Sequence, residues 1–441
     1  MHDKILIIAY HFPPLNSVAS SRTYAFAKYL AEMGADVTVV APEHRGDGCS
    51  FNPDGSADRF KVVRAGVVRN VNRNDSLLGG GGGMRDWLAD LRFRVKKWIS
   101  YRIVGNLITQ GDLWGFTAAR YASGLVEGGG ADIVISSFSP ICSHLVALGL
   151  KRKFPRLFWV ADYRDLWSLN ECVPRPVFPL SLLQRGIERL VNHRADCIVT
   201  VSRTLKEIIE RRFGKPVHVV ENGYFPGDDE AGRCIDPGFT RRWTFSATGA
   251  IYRGKRDPTP FFNAISQLMA EGRLSRDEVE VRFYGENSYL LKKMVHEADL
   301  DDVVRLLPLV SREESLAAQK RSTGLLFLEA DDPVSRGYLT GKLFEYMVAG
   351  PPIIAVGISA EHEAARVIAE TGTGYICGID SAAIKGAIME IVAGRVLGPD
   401  WDKIAAYRRD RLVAKLARIV DEVRGSAAPE TSRGRYEDGT G

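Results

Sequence analysis

Short runs of β-branched and apolar residues recur along the chain, each followed by a stretch with helical spacing, and this alternation limits the fold more than any other feature. Ile5-Leu-Ile-Ile-Ala9 precedes a loop and then Tyr24, Phe26, Ala27, Tyr29 and Leu30, which repeat as on one face of a helix. Ala35-Asp-Val-Thr-Val-Val40 follows as a second strand. Further strands are predicted at 132–135, 158–161, 197–201 and 217–220, and the count restarts at 243–247, 279–283, 303–307, 324–327, 352–355 and 375–377. Strands that are apolar throughout, separated by helices, are those of parallel sheets covered on both faces. Two sets of five or six strands in 441 residues give two doubly wound α/β domains of about 200 residues each. The predicted boundaries are 1–222 and 223–400, with a helix over 401–423 returning to the first domain and a polar, disordered tail over 424–441.

Two further segments stand outside this plan. Residues 79–83 are five consecutive glycines, predicted to form a mobile loop. In 87–102, Trp87, Phe93, Trp98 and Tyr101 interleave with Arg92, Arg94, Lys96, Lys97 and Arg102. That pattern suits a helix lying on an anionic membrane surface, or a domain helix whose basic side chains snorkel to water.

Charge and cysteine content exclude several classes. Lys and Arg number 59 against 54 Asp and Glu, and a net +5 over this length does not make a nucleic-acid-binding surface. No apolar run approaches the ~18 residues of a membrane span. Asp3 and Pro13-Pro14 do not fit a secretory signal, and six scattered cysteines without a C-x-x-C pair fit a reducing cytosol.

The stretch richest in chemistry is Tyr338-Leu-Thr-Gly-Lys-Leu-Phe-Glu-Tyr-Met-Val-Ala-Gly-Pro-Pro352. Gly341 opens a short amphipathic helix, Gly350 closes it, and a buried strand follows. First-turn amides at the carboxyl edge of such a sheet accept a diphosphate, and Lys342 adds a point charge. Glu345, three residues on, brings a carboxylate within reach of hydroxyls joined to that phosphate. As a lone pair on a helix face, Lys342 and Glu345 would otherwise contribute almost nothing.

This stretch resembles the donor-site signature of GT-B glycosyltransferases, in particular the retaining family 4. Phe12-Pro13-Pro14, Asp162-Tyr-Arg-Asp-Leu-Trp167, Val219-Val-Glu-Asn-Gly223 and Thr248-Gly-Ala-Ile-Tyr-Arg-Gly-Lys-Arg256 match in the family's order, so the resemblance covers residues 4 to about 423. It implies a GT-B fold of two Rossmann-like domains facing across a cleft, with the acceptor on the first and a nucleotide-sugar donor on the second. Gly249, Arg253, Lys255, Arg256, Tyr338, Thr340, Gly341, Lys342 and Glu345 would then bind the donor. Arg253 and Lys255, with Arg256 a near equal, are cast as the cations that stabilise the departing diphosphate. Asp299-Leu-Asp301 and Asp400-Trp-Asp402 flank helical runs rather than ending strands, so they read as helix-terminal acids and the reaction as free of metal and cofactor. One departure is Gly337, where the family signature carries a glutamate eight residues before Glu345.

On the acceptor side, Asp162 is expected to follow a strand and serve as general base, while Arg164 either binds acceptor or pairs with Asp165. His144, Asn16 and Arg22 are further acceptor-binding candidates, and Ser17, Ser20 and Ser21 are placed to cap the first helix. The expected activity is sugar transfer to a glycan, lipid-linked or other small acceptor in cell-surface polysaccharide assembly, in the cytoplasm and peripheral to the membrane. An epimerase of the same fold and a non-catalytic binding subunit are the alternatives. A dehydrogenase ranks last, because no G-x-G-x-x-G follows a strand.

Overall fold

A computed structural model describes residues 3–46, 48–53, 59–70, 111, 113–170, 175–229, 242–249, 251, 256–285, 289–331, 335–395 and 397–427. The glycine run 79–83, the segment 87–102, Arg253 and Lys255 lie outside the described residues.

Thirteen described strands form two wholly parallel sheets. The first has the order β3-β2-β1-β4-β5-β6-β7, from β1 (Lys4–Ile8), β2 (Asp36–Gly46), β3 (Lys61–Asn70), β4 (Ile133–Phe138), β5 (Phe158–Tyr163), β6 (Cys197–Thr200) and β7 (His218–Val219). The second has the order β10-β9-β8-β11-β12-β13, from β8 (Trp243–Thr248), β9 (Val279–Tyr284), β10 (Val304–Leu307), β11 (Gly324–Leu328), β12 (Ile353–Val356) and β13 (Gly374–Gly378). In both, the order reverses beside the first strand, and the carboxyl ends at that reversal form the crevice where ligands of such sheets bind.

Central strands such as β1, β11 and β12 are apolar along nearly their whole length because both faces are covered. Ile5 and Ile7 pack with Tyr24, Phe26 and Leu30 of the helix Val18–Glu32 and with Leu412, Leu416 and Val420 of the helix Arg409–Ala427. Leu6 and Ile8 pack on the opposite face with Ala118, Val146 and Trp159. Successive side chains point to opposite faces, so one five-residue strand feeds two cores. No helix among the described residues is long and apolar enough to cross a membrane.

Three sequence expectations need correction. The first sheet carries β3, which was not foreseen: it is an edge strand with Lys61, Arg64 and Arg69 along it, so it lacks the continuous apolar run of a central strand. β5 extends to Tyr163, so Asp162 lies inside the strand, in register with Ser137, rather than in a loop after it. The returning segment is two helices, Trp401–Ala405 and Arg409–Ala427. Ile404 and Tyr407 pack in the second domain with Leu343 and Phe344, whereas residues from Leu412 onward pack in the first. The second helix continues through 424–427, residues that the sequence assigns to the disordered tail, and Arg424 ties it to Asp3 at 3.0 Å.

The chain crosses between domains twice, side by side. The Tyr224 amide donates to Tyr407 O at 3.2 Å and the Arg409 amide to Tyr224 O at 2.9 Å. Further contacts join the domains beyond this hinge. Ser202 Oγ donates to Gly337 O at 2.7 Å, Asn222 Nδ2 to Leu339 O at 3.1 Å, and the Thr204 amide, at the start of the helix Arg203–Phe213, to Glu363 Oε1 at 2.8 Å.

Candidate active site

The helix Gly341–Ala349 begins after Thr340 in extended conformation and ends at Gly350, whose φ of +108° closes it. Leu343, Phe344, Tyr346 and Met347 bury its inner face, and the Tyr346 hydroxyl accepts the Thr248 amide at 2.8 Å. That bond fixes the helix against the carboxyl end of β8. Its first turn therefore faces the cleft, where Val18 of the first domain approaches so closely that a Cβ on Gly341 would lie 2.7 Å from Cγ2. A cavity of about 190 Å³ opens here, with Asn16, Ser17 and Ser21 on one side and Gly249, Arg312, Lys342, Glu345 and Arg409 on the other.

Lys342 is the pivot of this wall. Burial, with Arg256 nearby, lowers its pKa to about 8, against the opposing pull of Glu329 and Glu345. No carboxylate among the described residues lies within ion-pair distance of its ammonium. It enters the cleft over Gly249, where a Cβ would fall on the Lys342 ammonium and displace it and where φ is +93°. Arg256 lies behind it and donates to Glu329 at 3.2 Å. Glu345 is half-buried, desolvation raises its pKa, and Arg312 Nε lies 3.5 Å from its Oε1. Arg312 also donates to Asp228 at 2.9 Å.

Arg409 completes the cavity from the returning helix. It is 5% exposed, its guanidinium carbon sits 4.9 Å from the centre of the Phe225 ring, and its Nε has no hydrogen-bond partner among the described residues. Burial, then the charges of Arg22 and Arg312, lower its pKa to about 9. Thr340 Oγ1, one of the donor-side candidates, is likewise buried without a partner among the described residues.

The donor candidates Gly249, Gly341, Lys342 and Glu345 thus meet in one cavity with Asn16, whose Nδ2 donates to Ser50 Oγ at 3.2 Å. Arg256 adjoins it, while Tyr338 and Thr340 precede the helix without lining it. Gly337 touches the first domain instead of the cavity: a Cβ there would lie 2.9 Å from Leu205 Cδ2 and 3.2 Å from Thr204 Cγ2.

The acceptor-side expectations fare differently. Asp162 is fully buried and accepts Arg22 Nη2 at 2.8 Å, Arg22 Nε at 3.1 Å and Ser137 Oγ at 2.9 Å, so no acceptor hydroxyl reaches it as a base. Arg22 is equally buried and also donates to Glu221 O at 3.0 Å, which makes it a brace between the first helix and the end of the domain. His144 is enclosed by Phe138, Trp159 and Tyr163, with Nδ1 2.8 Å from Ser136 Oγ. Burial lowers its pKa to about 3, so it is a neutral core group. Arg164 pairs with Asp165 at 2.6 Å. Ser17 caps the first helix by accepting the Ser20 amide at 3.0 Å.

Sequence reasoning missed Arg312, Asp228, Glu329, Arg409 and His11. The last lies just past β1, half-buried, with its pKa lowered to about 3 by desolvation and then by Arg164 and His44. None stands in a recognisable motif; each acquires its surroundings from residues distant in the chain.

The comparisons agree with this architecture. Residues 19–223, just under half of the chain, match the family described as the glycosyl transferase 4-like domain. The sucrose-phosphate synthase of Thermosynechococcus elongatus superposes with a TM-score of 0.58 at 14% identity, over 96% of this chain and 99% of that one. The chain has the GT-B fold and carries a glycosyl transferase 4-like domain. Other GT-B structures similar to it include the lipopolysaccharide outer core galactosyltransferase WaaB in its apo form, with a TM-score of 0.55 at 13% identity over 95% of this chain and 99% of that one. The UDP-GlcNAc 2-epimerase of Methanocaldococcus jannaschii reaches 0.52 at 12% identity over 95% and 99%. No curated protein matches the sequence significantly. At such identities these likenesses establish the GT-B fold and leave the reaction to the site.

Proposed function

We propose that the protein transfers a sugar from a nucleoside diphosphate donor held by the second domain to an acceptor held by the first. The observation that carries this reading is Lys342: a half-buried, desolvated ammonium in the first turn of a helix, facing the cleft with no carboxylate within ion-pair distance among the described residues. Helix N-terminal amides and a lysine together suit a diphosphate. Breaking the bond to the sugar builds charge on that diphosphate, so cations fixed beforehand stabilise the transition state more than the ground state. Lys342 and Arg256 supply positive charge here, with Arg253 and Lys255 proposed to join them, and the mechanism invokes neither metal nor cofactor. The acid tripeptides have other employment: Asp299 pairs with Arg276, Asp301 with His296, and Asp400 caps the helix Trp401–Ala405.

Glu345 is proposed to accept donor hydroxyls once a ligand displaces Arg312 from it. The cavity of about 190 Å³ lies between the domains, and parting of the domains is proposed to admit the donor. Closure then excludes water. The acceptor is proposed to be a glycan or a lipid-linked sugar, in cell-surface polysaccharide assembly at the inner face of the cell membrane. Support for a membrane surface comes from the helix Leu180–Arg194, where exposed Leu182 and Leu183, preceded by Phe178, stand beside Arg185 and Arg189.

Incubation with a panel of nucleotide sugars, without acceptor, tests the proposal. Slow release of free sugar from one donor, abolished in Lys342→Gln, is the expected result. An epimerised nucleotide sugar would identify the epimerase alternative, and inertness to every donor would favour a binding subunit.

A further inference from the structure

Arg409 is not explained by the reading above. It is the first residue of the helix Arg409–Ala427 and stands at the second crossing between domains, its amide bonded to Tyr224 O. Its side chain is buried yet lines the cavity, and its guanidinium lies over Phe225, with Arg312 5.9 Å from the same ring. The nearby carboxylates are already engaged: Asp228 and Glu345 by Arg312 at 2.9 and 3.5 Å, Asp162 by Arg22 at 2.8 Å. The Nε proton of Arg409 has no acceptor among the described residues. A guanidinium keeps its charge at neutral pH, and a buried one with an unpaired Nε proton and its neighbouring carboxylates shared with Arg312 is stabilised by an anion that enters the cavity beside it.

We propose that Arg409 is an anion-binding residue of the cleft that receives a phosphate group at its hinge end. The inference rests on the reading of the cleft as a nucleotide-sugar site and extends it: the ligand carries negative charge at Arg409 as well as at Lys342. The planar fork of Arg409 suits phosphate oxygens, and Phe225 holds that fork in place. Two sources share this chemistry. Either the donor diphosphate reaches both cations, or the acceptor brings a phosphate of its own, as a lipid phosphate or phosphorylated sugar would.

Calorimetric titration of inorganic pyrophosphate and of inorganic phosphate into the full chain, at low ionic strength, tests this with Arg409→Gln and Lys342→Gln. If one diphosphate spans both cations, pyrophosphate binds once and each variant loses about tenfold or more in affinity. If Arg409 takes a second phosphate, the unaltered chain binds two phosphate ions and Arg409→Gln binds one. Either result supports the proposal. Unchanged pyrophosphate affinity and unchanged phosphate stoichiometry in Arg409→Gln overturn it, as does absence of binding to the unaltered chain. Indifference to Lys342→Gln with sensitivity to Arg409→Gln contradicts the donor reading alone. Should Arg409→Gln fail to fold, Arg409→Met, which keeps the length and removes the buried charge, decides. Retained folding with lost phosphate binding supports the role, and retained phosphate binding rejects it.

Discussion

The ammonium of Lys342 occupies the space in which a side chain on Gly249 would begin, so the end of β8 and the first turn of the helix Gly341–Ala349 are matched through a missing Cβ. The two residues lie 93 positions apart in the sequence, and the cleft depends on both.

Gly249→Ala is expected to cost about 1–2 kcal/mol through its left-handed backbone and to move the Lys342 charge off the cleft wall. Nucleotide affinity should fall about as far as in Lys342→Gln, while urea denaturation shows only the modest loss of stability. Undisturbed affinity in Gly249→Ala would mean that Lys342 does not act from this position.

Asp162 is predicted to be a structural residue. Asp162→Asn leaves Arg22 buried without its counter-charge, which should destabilise the fold by about 3–5 kcal/mol. Turnover per folded molecule, measured after correcting for the folded fraction, should change little. A stable but inactive variant would restore Asp162 as a base.

Acid should unfold the protein through His11 and His144. Burial lowers both to about 3, so between there and the ordinary value near 6.5 the unfolded chain binds more protons than the folded one. Stability is retained above about pH 6.5 and lost as the pH falls toward 3, at up to about 1.4 kcal/mol per pH unit for each histidine. Urea midpoints measured from neutral pH downward check this, and His144→Phe should reduce the slope.

Much of this was legible in the sequence, for identifiable reasons. The buried strands of a parallel sheet are apolar on both faces, so Ile5 to Ile8 or Ile353 to Val356 stand out as runs, whereas edge strand β3 spreads Lys61, Arg64 and Arg69 along its length and does not. The helix Gly341–Ala349 announced itself because two glycines bracket it. Asp162 misled because its strand runs two residues further than its apolar stretch, carrying the carboxylate inward to Arg22. Arg409 was invisible: in Arg408-Arg409-Asp410-Arg411 it looks like any solvated charge, and only the crossing beside Tyr224 buries it.

Gly337 closes the cleft by lying against Leu205 and Thr204. Gly337→Glu, which would introduce the residue type of the family signature, should therefore push the domains apart. Small-angle scattering should show a larger radius of gyration, and nucleotide affinity should fall. Unaltered scattering with tighter nucleotide binding would show that this surface is free to accept a carboxylate.

The central claim is that the cleft holds a nucleoside diphosphate through Lys342. Calorimetric titration of a panel of nucleoside diphosphates into the unaltered chain and Lys342→Gln tests it most directly. The account predicts that at least one binds the unaltered chain with a single site and that Lys342→Gln weakens it about tenfold or more, consistent with loss of a charge-assisted hydrogen bond. Equal affinity in the two proteins, or no binding by either, would contradict it.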